Sequence, residues 1–296
     1  MNGPLAYLNG KLLAQSQASI ALNDAGFVFG ATVTDLCRTI RHRLYRWPEH
    51  WVRFQQSCRS TYIDLAIGAD QMRSAAEELV VHNAKLLDAN DDLALVLFAT
   101  PGPLGHYLGQ PSNGLPTLGM HTFPLPFIRY RPWIANGVVL ATPGVRAVPG
   151  DCVPTHIKQR SRMHWWLAQH EVPDGAQALL LDHLGNVTET ASSNLLLVKD
   201  GTLMSPPLDT ILNGVSLGVV AEFASKLGVP LRYRPISLED CYAADEVLLT
   251  CTTYCIAGVR QINHQPVAWP GPMLPRFVEA WSAEVGVDIH RQVLGK

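Results

Sequence analysis

Charge is scarce in this chain of 296 residues: Asp, Glu, Lys and Arg together make up 16%, and the formal net charge is only −2. No basic tract and no acidic tail occurs, so the sequence does not read as a nucleic-acid binder. Although 47% of residues are hydrophobic, they are never gathered into an unbroken apolar run of about 18, the length a membrane span needs. The opening MNGPLAYLNGKLL lacks a basic start followed by an apolar core, and a cytosolic protein that engages neither membrane nor nucleic acid is expected. Metal spacing is missing too: the six cysteines form no CxxC pair, and reduced, mostly buried thiols with no metal site are expected.

The length suits two domains of about 100 to 200 residues each. Asn9-Gly10 between apolar segments is a strong hairpin signal. Trp51, Phe54, Cys58, Tyr62 and Leu65 fall at helical spacing, and Met72, Ala76, Leu79, Val80, Asn83 and Leu87 nearly repeat it, so two helices follow the first strands. Residues 92–100 read as a buried strand. The proline-bearing stretch 124–134 reads as the connection between an N-terminal domain, 1–123, and a C-terminal domain, 135–296, that carries Lys158. Beyond it, SRMHWWLAQHE looks helical, and ALLLD, NVTET and NLLLV look like a strand meander. Asn213 can cap a helix from about Val215 to Leu227, with Gly228 as its stop. LRYRPIS and EVLLTC read as further strands. Helices and strands mix without regular alternation, so the fold class is α/β of the mixed, α+β kind in two domains.

Only six lysines occur. Lys11 and Lys199 lie in turns, Lys85 and Lys226 on polar helix faces, and Lys296 at the end. Lys158 differs, because it sits between a Pro-broken loop and a helix beside His156, Arg160 and Arg162. Neighbouring cations lower a lysine pKa and favour the free amine needed for a Schiff base, yet a surface basic patch is the plainer reading of these residues alone. Glu189 lies between two apolar strands and is followed by Ser192, Ser193 and Asn194, small polar groups suited to a cavity wall; it reads equally as a solvated edge carboxylate. ILNGVS places a Gly before a helix whose first amides, at Val215 and Ser216, suit an anion. In LLTCTTYC, Thr252 and Thr253 follow a strand and can donate hydroxyl and amide hydrogens.

Taken in order, HIK, then LLLD with GNVTE and SSN, then ILNGVS, then TCTT, resemble the C-terminal half of the class IV aminotransferases. LNDAGFVFGATVTDLCR resembles that family's D-x-G-F-x-x-G segment ending in Arg, and EHWVRF resembles its H-x-x-R-L helix. The resemblance spans roughly residues 6 to 272. It implies a two-domain, fold type IV enzyme like the D-amino-acid aminotransferases, a homodimer, and pyridoxal 5′-phosphate held by Lys158. It further implies that Glu189 pairs with the pyridine nitrogen, that Arg53, Val215, Ser216 and Thr252 cradle the phosphate with Ser193 and Asn194 nearby, and that Thr253 and Tyr254 meet the substrate carboxylate. The implied reaction moves an amino group between an amino acid and a 2-oxo acid, as in branched-chain aminotransferases. An aminodeoxychorismate lyase that releases pyruvate and a non-catalytic relative are the alternatives.

The pattern departs in places. Thr34 and Asp35 stand where relatives often carry an aromatic residue and Glu, so a smaller, more polar pocket mouth is expected. Leu217 replaces a frequent Arg, and Met163, after Arg162, replaces the Tyr of branched-chain enzymes; the Arg-Met pair is closer to the lyases. LVLFATPG lacks the strand arginine of the branched-chain enzymes. Arg38, Arg160 and Arg162 are possible carboxylate ligands in its place, or structural ion-pair partners, and Thr34, Arg38 and Arg162 are set beside Thr253 and Tyr254 as substrate contacts.

Overall fold

Asn9 and Gly10 carry left-handed φ values of 48° and 87° in the computed structural model, which describes residues 3–88 and 90–295. Two successive positive φ values make the tight turn whose twist matches paired strands, and Leu5–Leu8 accordingly runs antiparallel to Lys11–Ala14. Lys296 lies outside the described residues. The chain divides into two compact units, Met1–Leu125 with Ile157–Ser161, and Pro126–His156 with Arg162–Lys296.

The first unit is built on a six-stranded sheet in the order Lys11–Ala14, Leu5–Leu8, Thr117–Pro124, Leu93–Thr100, Val33–Ile40, Arg43–Leu44. Every neighbouring pair is antiparallel. Alternation along the strands sends Val33, Cys37, Leu93, Leu95 and Leu97 into a core shared with Trp51, Phe54, Cys58, Met72, Ala76 and Leu79. These last six belong to helices Trp47–Ser60 and Ala69–Ala84. Each fully buried Leu or Phe there adds about 1.5–3 kcal/mol. Asn83, polar in this core, is satisfied: its amide bonds the N–H and C=O of Leu5 and the Thr122 hydroxyl. The first helix ends sooner than its apolar spacing suggests. Thr61 Oγ1 donates to Ser57 O, and Ile63 N to Cys58 O, closing the last turn, so Tyr62 stands 97% exposed at φ 58° rather than on the helix face.

The second unit holds a nine-stranded mixed sheet among the described residues. Its pairings run from Asn194–Lys199 through Glu246–Cys251, Cys255–Ile262, Val138–Ala141, Gln177–Leu181 and Val187–Thr190, then return to the first strand through the pair Glu189 and Asn194. Six strands therefore close into a ring, and Glu189 sits at the closure. Helix Val215–Lys226 is capped at Gly214, not Asn213, with no side-chain cap bond; Gly228 follows at φ 65°, the left-handed stop that glycine allows.

Two boundaries differ from expectation. Most of the expected connection is the helix Phe127–Asn136, which contains Pro132 and belongs to the second unit. Segment Ile157–Ser161, expected with the C-terminal domain, belongs to the first unit because its backbone pairs with the strand Val33–Ile40 and the residue before it. Thr34 N donates to Lys158 O and Arg160 N to Thr32 O, each at 2.8 Å.

Candidate active site

In the helix Trp47–Ser60, His50, Arg53 and Ser57 recur at spacings of three and four and so share one face. Opposite them, alternation turns Asp35 of the strand Val33–Ile40 to the helix-covered side, along with Val33 and Cys37. Arg53 grips the Asp35 carboxylate with two bonds of 2.8 Å, from Nε and Nη2. His50 Nδ1 lies 2.7 Å from the same carboxylate. Asp35 is completely buried. Burial alone would raise its pKa, but the Arg53 charge, then His50, outweigh that and hold the carboxyl well below the usual carboxylate range. Burial pushes His50 down against the pull of Asp35, leaving a neutral ring. An ionised carboxylate only accepts, so Nδ1 carries the hydrogen between them.

One turn along the helix, Ser57 Oγ accepts from Lys158 N at 3.1 Å. With the Thr34 bond to its carbonyl, this pins the Lys158 backbone on both sides. The same helix face thus fixes an arginine for an anion and the lysine's main chain.

One expectation at this sheet is corrected. Asp35 does not shape a pocket mouth, since it is locked under the helix. Thr34 is buried, and its hydroxyl donates to Leu97 O at 2.7 Å. Arg38 is 1% exposed, with its guanidinium 3.8 Å from Asp92 and bonded to Thr39 O, a buried ion pair. Ser57 was not singled out from the sequence, and Asp35 and His50 were noted only within their motifs, without their pairing to Arg53. The readable signal was His50 three residues before Arg53; Asp35 needed the strand's phase.

In the second unit, both Glu189 oxygens are engaged. Asn194 Nδ2 donates to Oε2 at 2.9 Å and Leu212 N to Oε1 at 3.3 Å. Asn194 Nδ2 also reaches Leu212 O at 2.8 Å, tying the carboxylate to the segment that leads into Val215–Lys226. Gly214 is required by close approach, because a Cβ there would collide with Asn194 Oδ1. Val215 and Ser216 open that helix.

Thr252, Thr253 and Tyr254 form the turn between strands Glu246–Cys251 and Cys255–Ile262. Thr252 is half-buried and Thr253 buried, with its hydroxyl 3.3 Å from Cys251 Sγ. Tyr254 is 1% exposed; its hydroxyl lies 2.6 Å from Ser193 Oγ and its ring packs on Tyr130 and Trp133. Burial drives its phenol well above the ordinary value, so it stays neutral. Tyr254 and Ser193 therefore brace the turn through their paired hydroxyls. Arg162 donates to Ala191 O and lies over the Trp165 ring, joining the start of the helix Met163–His170 to the loop after Glu189.

A family model described as amino-transferase class IV matches residues 32–262. A putative branched-chain-amino-acid aminotransferase of Methanocaldococcus jannaschii is 30% identical over 261 residues, covering 87% of each chain. A D-alanine aminotransferase of Staphylococcus aureus is 26% identical, covering 88% of this chain and 90% of its own. Among solved structures, a branched-chain amino acid aminotransferase of Escherichia coli superposes with a TM-score of 0.87 at 21% identity, covering 95% of this chain and 94% of that one. A branched-chain aminotransferase of the thermophilic archaeon Thermoproteus uzoniensis, solved with norvaline, gives 0.82 at 23%, covering 100% of this chain and 96% of that one. The fold is shared with both structures, and with the family model spanning most of its length the chain belongs to the class IV aminotransferases and is a transaminase.

Proposed function

We propose that this chain binds pyridoxal 5′-phosphate and uses it to move an amino group between an amino acid and a 2-oxo acid. The residues present fit that group. Arg53, held rigid by Asp35 and His50, and the first amides of Val215–Lys226 suit a phosphate. Glu189, oriented by Asn194 and Leu212 N, suits a protonated ring nitrogen. Lys158 would hold the group through its ε-amine. When bound, the cofactor supplies a ring that draws electrons from the substrate's alpha carbon.

The chain's own residues have separate tasks. Lys158 Nζ would take the proton from the substrate's alpha carbon and carry it to the cofactor carbon that receives the amino group. Glu189 keeps a proton on the ring nitrogen. The Thr252–Thr253 turn, braced by Tyr254 and Ser193, offers hydroxyl and amide donors to the bound cofactor and substrate. The observation that carries this reading is the single helix face on which Arg53 is clamped and the Lys158 main chain is pinned. Similarity to enzymes named for branched-chain amino acids and D-alanine supports an amino-acid donor.

A homodimer is part of the same reading. It is supported by exposed apolar side chains in the first unit, among them Leu22, Phe29, Leu108 and Leu115, which a partner surface would cover. Six free thiols, five of them buried, fit a reducing cytosol. The test is half-transamination: purified protein mixed with single amino acids should convert its bound cofactor to the pyridoxamine form, alongside a pyruvate-release assay on aminodeoxychorismate. Pyruvate release with no pyridoxamine form from any donor would assign lyase chemistry instead.

A further inference from the structure

Val33 pairs with Gln159 in an isolated antiparallel bridge. Residues directly opposite across such a bridge share a face, and Val33 faces the helix-covered core. Alternation therefore turns residues 158 and 160 to the other face of the sheet, with Thr32 and Thr34. On that face lies a cavity of about 480 Å³, contained within the first unit and walled by Leu8, Leu22, Phe27, Phe98, His121 and Arg160 among others. Phe98 lies across the neighbouring strand, over Gly119, where any Cβ would strike its ring.

Apart from Arg160, His121 and a few hydroxyls and amides the cavity is apolar, and no carboxylate among the described residues lines it. Among the described residues Arg160 is its one permanent charge. Its side chain has no hydrogen bond or ion pair among the described residues, and burial lowers its pKa with no carboxylate opposing. His121 is pushed down by burial and then by Arg160, so at neutral pH it is a neutral hydrogen-bonding ring and adds no second cation. A partly desolvated, unpaired guanidinium is costly without an anion, and a planar carboxylate is the anion its fork fits. One cation in an apolar chamber matches one carboxylate on an apolar body.

Resting on the transaminase reading, we propose that Arg160, two residues after Lys158 and one after the bridged Gln159, is the carboxylate receptor of the substrate subsite. It selects amino and 2-oxo acids with a single carboxylate and an apolar side chain. Arg160 thus takes the place of the arginine missing from the strand Leu93–Thr100, from the opposite edge of the same pocket wall.

The test uses the cofactor-loaded enzyme and a non-reacting pair of probes, 4-methylpentanoate and its neutral amide, with binding measured by calorimetry. Arg160→Met should weaken the carboxylate about 10- to 100-fold, the worth of a charge-assisted bond, and leave the amide unchanged. Arg160→Lys should recover part of the loss. In turnover, KM for apolar amino acids should rise with much less change in kcat. Carboxylate binding by Arg160→Met at the parental affinity, with thermal midpoint and bound cofactor unchanged, would overturn the proposal, as would a parent that prefers the amide. These readouts do not require amino transfer, so failure of the transaminase reading shows separately, as a parent that forms no pyridoxamine from any donor.

Discussion

Asp35 is an ionised carboxylate with no exposure to water, and what keeps it charged is the company of Arg53 and His50. Asp35→Asn removes the charge while keeping the shape. It should destabilise the first unit by about 3–5 kcal/mol, the cost of leaving one member of a buried pair uncompensated, and loosen cofactor binding through Arg53; thermal denaturation and cofactor titration read the two effects. The pH dependence has a definite sign. The folded pKa lies below the unfolded value of about 3.9, so the stabilisation is fully present above about pH 4 and is lost as acid takes the carboxyl down through its folded value. Acid unfolding of the parent should thus show a component that Asp35→Asn lacks. Lys158→Ala should abolish the yellow absorbance of the holoenzyme. Glu189→Gln should keep bound cofactor but lose most turnover, since an amide cannot hold the ring proton; turnover at the parental rate would remove Glu189 from that role.

At this scale the sequence was legible where motif and chemistry coincide. Lys158, Arg53 and Glu189 sit in segments whose order is distinctive. The partners of Arg38 and Thr34 were not legible, because nothing in a one-dimensional reading says that Asp92 and the Leu97 carbonyl lie across the sheet from them. Asp35 looked like a departure, when alternation had turned it toward Arg53.

Among the elements, the helix Val215–Lys226 carries an internal control. Gly214 meets Asn194 Oδ1, whereas Gly218 is exposed inside the helix with nothing near a built Cβ. Gly218→Ala should stabilise by about 0.5–1 kcal/mol, the helical preference for Ala over Gly. Gly214→Ala should instead displace Asn194, release its hold on Glu189, and weaken both cofactor affinity and thermal stability. Equal midpoints for the two variants would contradict the close approach. Helix existence and extent here were readable from Val219, Val220 and Phe223, all buried. The cap was not: Asn213 has the better capping side chain, but Asn194 occupies the space that forces glycine at the next position. The helix Phe127–Asn136 was missed for a related reason. Pro126 and Pro132 look like breaks, yet Pro126 precedes the first turn and the helix continues past Pro132.

For the whole molecule, assembly is the open measurement. Sedimentation at assay concentration should give a dimer, and Phe29→Glu, which places a charge on a residue 68% exposed in the first unit, should shift it toward monomer without lowering the thermal midpoint of each subunit. A parental enzyme fully active as a monomer would refute it. Composition and the resemblance made two units legible, but not their membership, because five residues after position 156 are claimed by strand pairing rather than by neighbourhood in the chain.

That claim bears on how the gene can be cut. The first unit is not a contiguous stretch of coding sequence: its sheet margin is completed by Ile157–Ser161, from beyond the start of the second unit. A fragment ending at Leu125 would leave Ser57 Oγ and Thr34 N without their Lys158 partners. A chimera that exchanges residues 1–125 with a relative would pair one protein's Ser57 with another's lysine strand. Recombination between homologues therefore has to carry Ile157–Ser161 with the N-terminal segment, as two inserts rather than one.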